Sequence, residues 1–199
     1  MSARISKKFI FQAAIHQEET FMVNNYELEL FMDVTTEDID QQNTAMDRIR
    51  YFLDICLDSC IFVDMHDAKA IDMYLKANMK VCPLPDEPFD QVIAAVLISK
   101  INTITEKHMF LEEIKIRSRL CDDVYFYVSY EEEAEFHHLK DVWWTDNSPS
   151  ISTIKKTKKE KVVELRKKPL DWNSIGLGWE SIKSEKCDKG EVVFIPVDK

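Results

Sequence analysis

A metal centre or a nucleophilic site in this chain would have to be assembled from five histidines, five cysteines and a large excess of carboxylates, so their spacing is the first thing to weigh. His66 stands beside Asp64, Asp67 and Asp72, a carboxylate–imidazole group of the kind that moves protons or holds a metal. The same spacing describes a polar helix cap, where Asp favours the first turn on electrostatic grounds, and that is the simpler reading. His137 and His138 follow Glu131, Glu132, Glu133 and Glu135, which read as a solvated acidic turn rather than a divalent-ion site. His108 precedes a strand alone and is assigned a structural role. Cys56 and Cys60 are one helical turn apart, but the two further ligands of a zinc site are missing. With Cys82, Cys121 and Cys187 they make an odd, scattered set without a C-x-x-C pair, so buried thiols are expected rather than disulfides. No serine or cysteine carries a local signature pairing it with a histidine and an acid. Acid pairs such as Glu112–Glu113 and Asp122–Asp123 arise without purpose in a chain with 36 acids. No metal and no cofactor is expected.

The elements that would have to position such residues are constrained by composition. The chain has 199 residues, 45% hydrophobic and 31% charged, enough for one sizeable core, or a core and an appendage. Its three glycines are Gly176, Gly178 and Gly190, so no Walker A loop, no dinucleotide-binding G-x-G-x-x-G and no G-x-S-x-G elbow exists. No apolar run approaches the roughly 18 residues of a membrane span, and no signal-type stretch follows the charged start. A soluble, cytoplasmic protein with no membrane partner is expected.

Charge divides the chain. Residues 1–140 carry a net −12 and residues 141–199 a net +2, and all four tryptophans (Trp143, Trp144, Trp172, Trp179) lie in the second part. This places a domain boundary near residue 140, with an acidic body of 1–140 and a Trp/Lys-rich tail of 141–199. Within the tail, Lys155, Lys156, Lys158, Lys159, Lys161, Arg166, Lys167 and Lys168 face only Glu160 and Glu164.

Hydrophobic period orders the body. Residues 9–16 read as a strand, and Tyr26, Leu28, Leu30, Met32 and Val34 alternate with polar neighbours in a second, the two paired as a hairpin through 16–22. From Thr36 the period becomes helical, with Ala45, Ile49, Phe52, Leu53, Cys56 and Leu57 on one face. A shorter helix is expected over 67–77, then Pro83, Pro85 and Pro88 break the chain before a third helix begins near Phe89. Two strands follow, 110–118 with Ile114 and Ile116 inward, and 124–130 with Val124, Phe126, Val128 and Tyr130 on one face, joined by a turn at 121–123. The fold class is α+β, an antiparallel sheet with helices on one face in the order ββααββ, followed by an irregular C-terminal extension.

That order resembles the tunnelling fold, or T-fold, of the 6-pyruvoyltetrahydropterin and 6-carboxytetrahydropterin synthases. Phe11-Gln12-Ala13-Ala14-Ile15-His16 resembles the family's F-x-A-A-H strand, Met22-Val23-Asn24-Asn25-Tyr26 its H-G-H-N-Y, and Thr44-Ala45-Met46-Asp47 its G-M-V-x-D-F. The resemblance covers roughly residues 5–130. It departs from the family where the chemistry is: Met22 and Asn24 stand where two zinc-binding histidines are expected, Ser118 stands near the substrate-anchoring glutamate, and 16–22 lacks a cysteine. A single histidine cannot hold a catalytic zinc. The resemblance therefore implies a ring-like homo-oligomer whose ancestral chemistry is lost.

The functional expectation is a non-catalytic oligomeric assembly or adaptor protein. Its tail would recruit a protein partner, with Trp143, Trp144, Trp172 and Trp179 as anchors and the basic run of 155–168 as electrostatic contacts. Two alternatives stay open. One is a pterin- or purine-type small-molecule enzyme or binder, using a pocket with His16, Asn24 and Asn25. The other is nucleic-acid binding through the basic tail, which pairs phosphate contacts with base stacking. The basic run and the Trp172–Trp179 stretch have a competing destination in the chain's own acidic body.

Overall fold

The strongest alternation in the sequence becomes the centre of the fold. In a computed structural model, which describes residues 3–122, 124–131, 142–151 and 170–180, β1 (Ala3–Gln17) and β2 (Thr20–Val34) form an antiparallel hairpin in unbroken register from Ala3↔Val34 to Gln17↔Thr20. Phe9, Phe11, Ala13 and Ile15 of β1 and Tyr26, Leu28, Leu30 and Met32 of β2 are buried together on one face. The two-residue turn between the strands needs positive φ at both positions. With no glycine to supply it, Glu18 and Glu19 adopt φ of 49° and 61°.

α1 (Ile39–Tyr51) starts where Asp38 accepts hydrogen bonds from the amides of Asp40 and Gln41, at 2.9 and 3.3 Å. Its end widens into a π-helical turn over Phe52–Leu57, which buries Phe52, Leu53 and Leu57. α3 (Asp90–Thr105) is apolar on nearly every side and lies buried along most of its length, packed on β5 (Met109–Ser118). β6 (Tyr125–Ser129) completes that side of the sheet. Of its expected inward face only Val128 is fully buried, because β6 is an edge strand: Val124 is exposed and Tyr130 is at the surface.

The α+β class is as expected, but the sheet is mixed rather than antiparallel and has six strands in the order β4-β3-β1-β2-β5-β6. Two strands were absent from the ββααββ reading. β3 (Cys60–Asp64) and β4 (Val81–Leu84) run parallel to β1, and with α2 (Ala68–Lys76) they form a unit inserted between α1 and α3. α2 packs on the face opposite α1 and α3: Ala70 and Tyr74 meet Ala14, Ile61, Val63 and Val81 in a second small core. The helices therefore cover both faces at this end of the sheet, and β3, buried on both sides, has no alternation to read. Elsewhere on the outer face no described element covers the sheet, and Ile10, Val23, Tyr125 and Tyr127 are exposed. No helix among the described residues is long and apolar enough to cross a membrane.

Candidate functional site

The described part of the tail belongs to the core. Trp143 and Trp144 are 2% and 1% exposed, and Trp172 is buried with them. The ring of Trp143 stacks on Phe52 at 6.0 Å between centroids, and its indole N–H donates to the Pro83 carbonyl at 2.7 Å. Beneath this segment the ammonium of Lys100, on α3 and wholly buried, donates to the carbonyls of Trp143 (3.0 Å), Asp146 and Ser148 (2.9 Å). Burial pushes its pKa down to about 8, against the opposing attraction of Asp146. Three carbonyls on one cation fix the loop 143–148 against α3.

The stretch from Trp172 to Trp179 is held by one buried arginine. Arg48 of α1 donates to Leu177 O at 2.8 Å, Ile104 O at 3.0 Å and Glu106 Oε1 at 2.9 Å. Its guanidinium lies 3.8 Å from the ring centre of Trp179 and 4.9 Å from that of Trp172. The side chains of Trp143, Trp144 and Trp172, expected as partner anchors, are thus buried in their own chain, and Trp179 is half-buried against Arg48. Lys155, Lys156, Lys158, Lys159, Lys161, Arg166, Lys167 and Lys168 lie outside the described residues, as do Glu132, Glu133, Glu135, His137, His138 and Cys187.

The residues expected to line a small-molecule pocket are separated by the pleat. Asn24 points inward, buried, its Oδ1 accepting from the amides of Arg119 (3.1 Å) and Leu120 (3.4 Å). Asn25 is on the opposite face, bonded to Gln12 at 3.2 Å. His16 sits further along: its Nδ1 is 3.0 Å from the Tyr74 hydroxyl and its Nε2 is 3.4 Å from Asp67 Oδ2, tying β1 to the start of α2. Asp67 caps α2 through the Ala70 amide at 2.9 Å, as the cap reading of this cluster expected, while His66 is exposed. Among the described residues no group of three or more His, Cys, Asp or Glu side chains is placed to hold a metal ion.

What the fold does build is a cleft of about 530 Å³. It lies where the π-helical turn, α2, β4 and the segment 142–151 meet, with Leu170 at its border. Ile55, Met65, Ile71, Leu75, Met79 and Trp144 are among the apolar residues that line it, and Lys80 is the one charged residue lining it among the described residues. The wide turn brings Cys56 to the lining, where its thiol donates to Pro149 O at 2.6 Å. Burial pushes that thiol up to about 11, so it is a poor nucleophile at neutral pH. A cleft of this size with a mostly apolar lining has the dimensions of a ligand- or segment-binding site. Sequence reasoning missed it because its walls come from four segments brought together only by the unexpected β3–α2–β4 unit and the docked tail. The available signal was the apolar face of α2.

No family model matches the chain, and no curated protein matches it. Among solved structures, the crystal structure of uncharacterized protein WS1659 from Wolinella succinogenes is similar at a TM-score of 0.47 and 11% identity, over 65% of this chain and 99% of that one.

Proposed function

We propose that the chain is a non-catalytic, self-associating adaptor that engages a partner protein at the cleft. The observation that carries this reading is the cleft itself: an apolar cavity of about 530 Å³ whose wall is fixed in place by Lys100 and whose thiol is deactivated by burial. Ile151 and Leu170, which precede and follow the basic run in sequence, both line it, which supports the run of 155–168 as a source of electrostatic contacts to whatever binds there. The self-association part of the reading is supported by the part of the outer sheet face that no described element covers, where Ile10, Val23 and Tyr127 stand exposed between ion pairs such as Arg117–Glu27 and Lys115–Glu29. The T-fold resemblance adds the expectation of a ring of protomers. In an affinity capture with the full chain, a partner should be retained by wild type and lost with Leu75→Glu, whose side chain is at the cleft rim. Equal retention by both would refute the reading.

A further inference from the structure

We infer that the cleft takes an amphipathic helical segment of the partner, with an apolar face and an acidic residue at one end that meets Lys80; this rests on the adaptor reading above. Three observations select this occupant. The first is that strand addition is impaired at Pro83. β4 is the edge strand of the sheet, but Pro83 has no N–H to offer and its carbonyl is already taken by the Trp143 indole. An occupant that relies less on main-chain bonds than an added strand does, as a helix in a groove, is therefore favoured.

The second is the extent of the apolar surface. Leu75 and Met79 line the cleft yet are 43% and 41% exposed, and Ile55 and Leu170 are likewise exposed at its border. A small ligand filling the cavity would leave this rim in water, whereas a helix face spans cavity and rim together. Met65 and Met79 give the lining the adaptability that helix-binding grooves use.

The third is the placement of charge. Lys80 is exposed, and its Nζ donates to Ile55 O at 3.0 Å and Asp58 O at 2.7 Å. An ammonium has three protons, so one remains to meet a carboxylate, from a head already held at the mouth of a lining that is otherwise uncharged among the described residues.

The test is a fluorescence titration of the full chain, reading Trp143 and Trp144, with a Trp-free peptide of about 18 residues carrying Leu at i, i+3, i+4 and i+7 and a Glu pair at one end. Saturable binding is expected, weakened about threefold by Lys80→Gln, the size of an exposed ion pair, and more than tenfold by Leu75→Glu or Met79→Glu, which bring a charge into the apolar contact. Equal affinity for a version with Lys in place of the Glu pair would overturn the charge assignment. Binding of palmitate in place of the peptide, or binding of neither, would overturn the helix. If the peptide fails while partner capture still depends on Leu75, the helix inference falls and the adaptor reading stands; if both fail, both fall.

Discussion

Replacing Lys100 by Met tests how the cleft wall is held. The substitution keeps the length of the side chain but removes three hydrogen bonds to the carbonyls of Trp143, Asp146 and Ser148. Stranding buried carbonyls costs roughly 1–3 kcal/mol each, so the gross loss is on the order of 3–9 kcal/mol. Against it stands the relief of burying a charge. The pKa falls from 10.5 to about 8 in the folded chain, which corresponds to about 3 kcal/mol of penalty at neutral pH. The net expectation is a destabilisation of roughly 0–6 kcal/mol at pH 7.

The pH dependence is the sharper readout. Between pH 8 and 10.5 the unfolded chain keeps the Lys100 proton and the folded chain releases it, so wild-type stability gains with rising pH at this site, by up to about 3 kcal/mol. Cys56 acts in the opposite sense: its folded pKa is raised from 9.0 to about 11, so its contribution is full below pH 9 and lost as pH rises to 11. The difference between wild type and Lys100→Met separates the two. Urea unfolding at pH 7, 8.5 and 9.5, followed by circular dichroism, should show that difference growing with pH. A difference that is flat across this range would refute the picture of a charged lysine buried at the loop.

Truncation after residue 140 should destabilise the body rather than release a tail, because Phe52 loses the ring of Trp143 and Arg48 loses the carbonyl of Leu177 and two aromatic faces; a melting temperature unchanged by the cut would contradict this. Glu18→Asn with Glu19→Gly should stabilise by about 1 kcal/mol, since both positions hold positive φ that Asn and Gly adopt at less cost, and thermal denaturation would detect a rise of about 2–4 °C. Cys56 should react slowly with iodoacetamide at pH 8, with a rate that climbs towards pH 11 as the thiol ionises; peptide mapping of the alkylated protein would find it among the first sites labelled if burial were not raising its pKa.

Where apolar and polar residues alternate or repeat with a helical period, the sequence was legible. Tyr26, Leu28, Leu30 and Met32 face the core as their period of two requires, and Ala45, Ile49, Phe52 and Leu53 do so through a period near 3.6. The same pleat rule already puts Asn24 and Asn25 on opposite faces, so grouping them in one pocket went against it. β3 was hidden because Cys60, Ile61, Phe62 and Val63 are all buried, leaving no alternation, and β4 because Pro83 reads as a break although an edge strand tolerates it. The tryptophans looked like anchors because they fall in the part of the chain where charge changes sign, yet charge says nothing about where an indole packs. The contacts of His16 with Asp67 and Tyr74 join residues far apart in sequence and could come only from the fold.

That a partner is held at the cleft can be read by site-specific photocrosslinking in the full chain, with the reactive group placed at residue 79 on the cleft rim or at residue 10 on the outer sheet face. A discrete adduct to a different protein is expected from position 79, abolished by Leu75→Glu, and an adduct between copies of this chain from position 10. A heteromeric adduct from position 79 that survives Leu75→Glu, or one that forms from position 10 and not from 79, would contradict binding at the cleft.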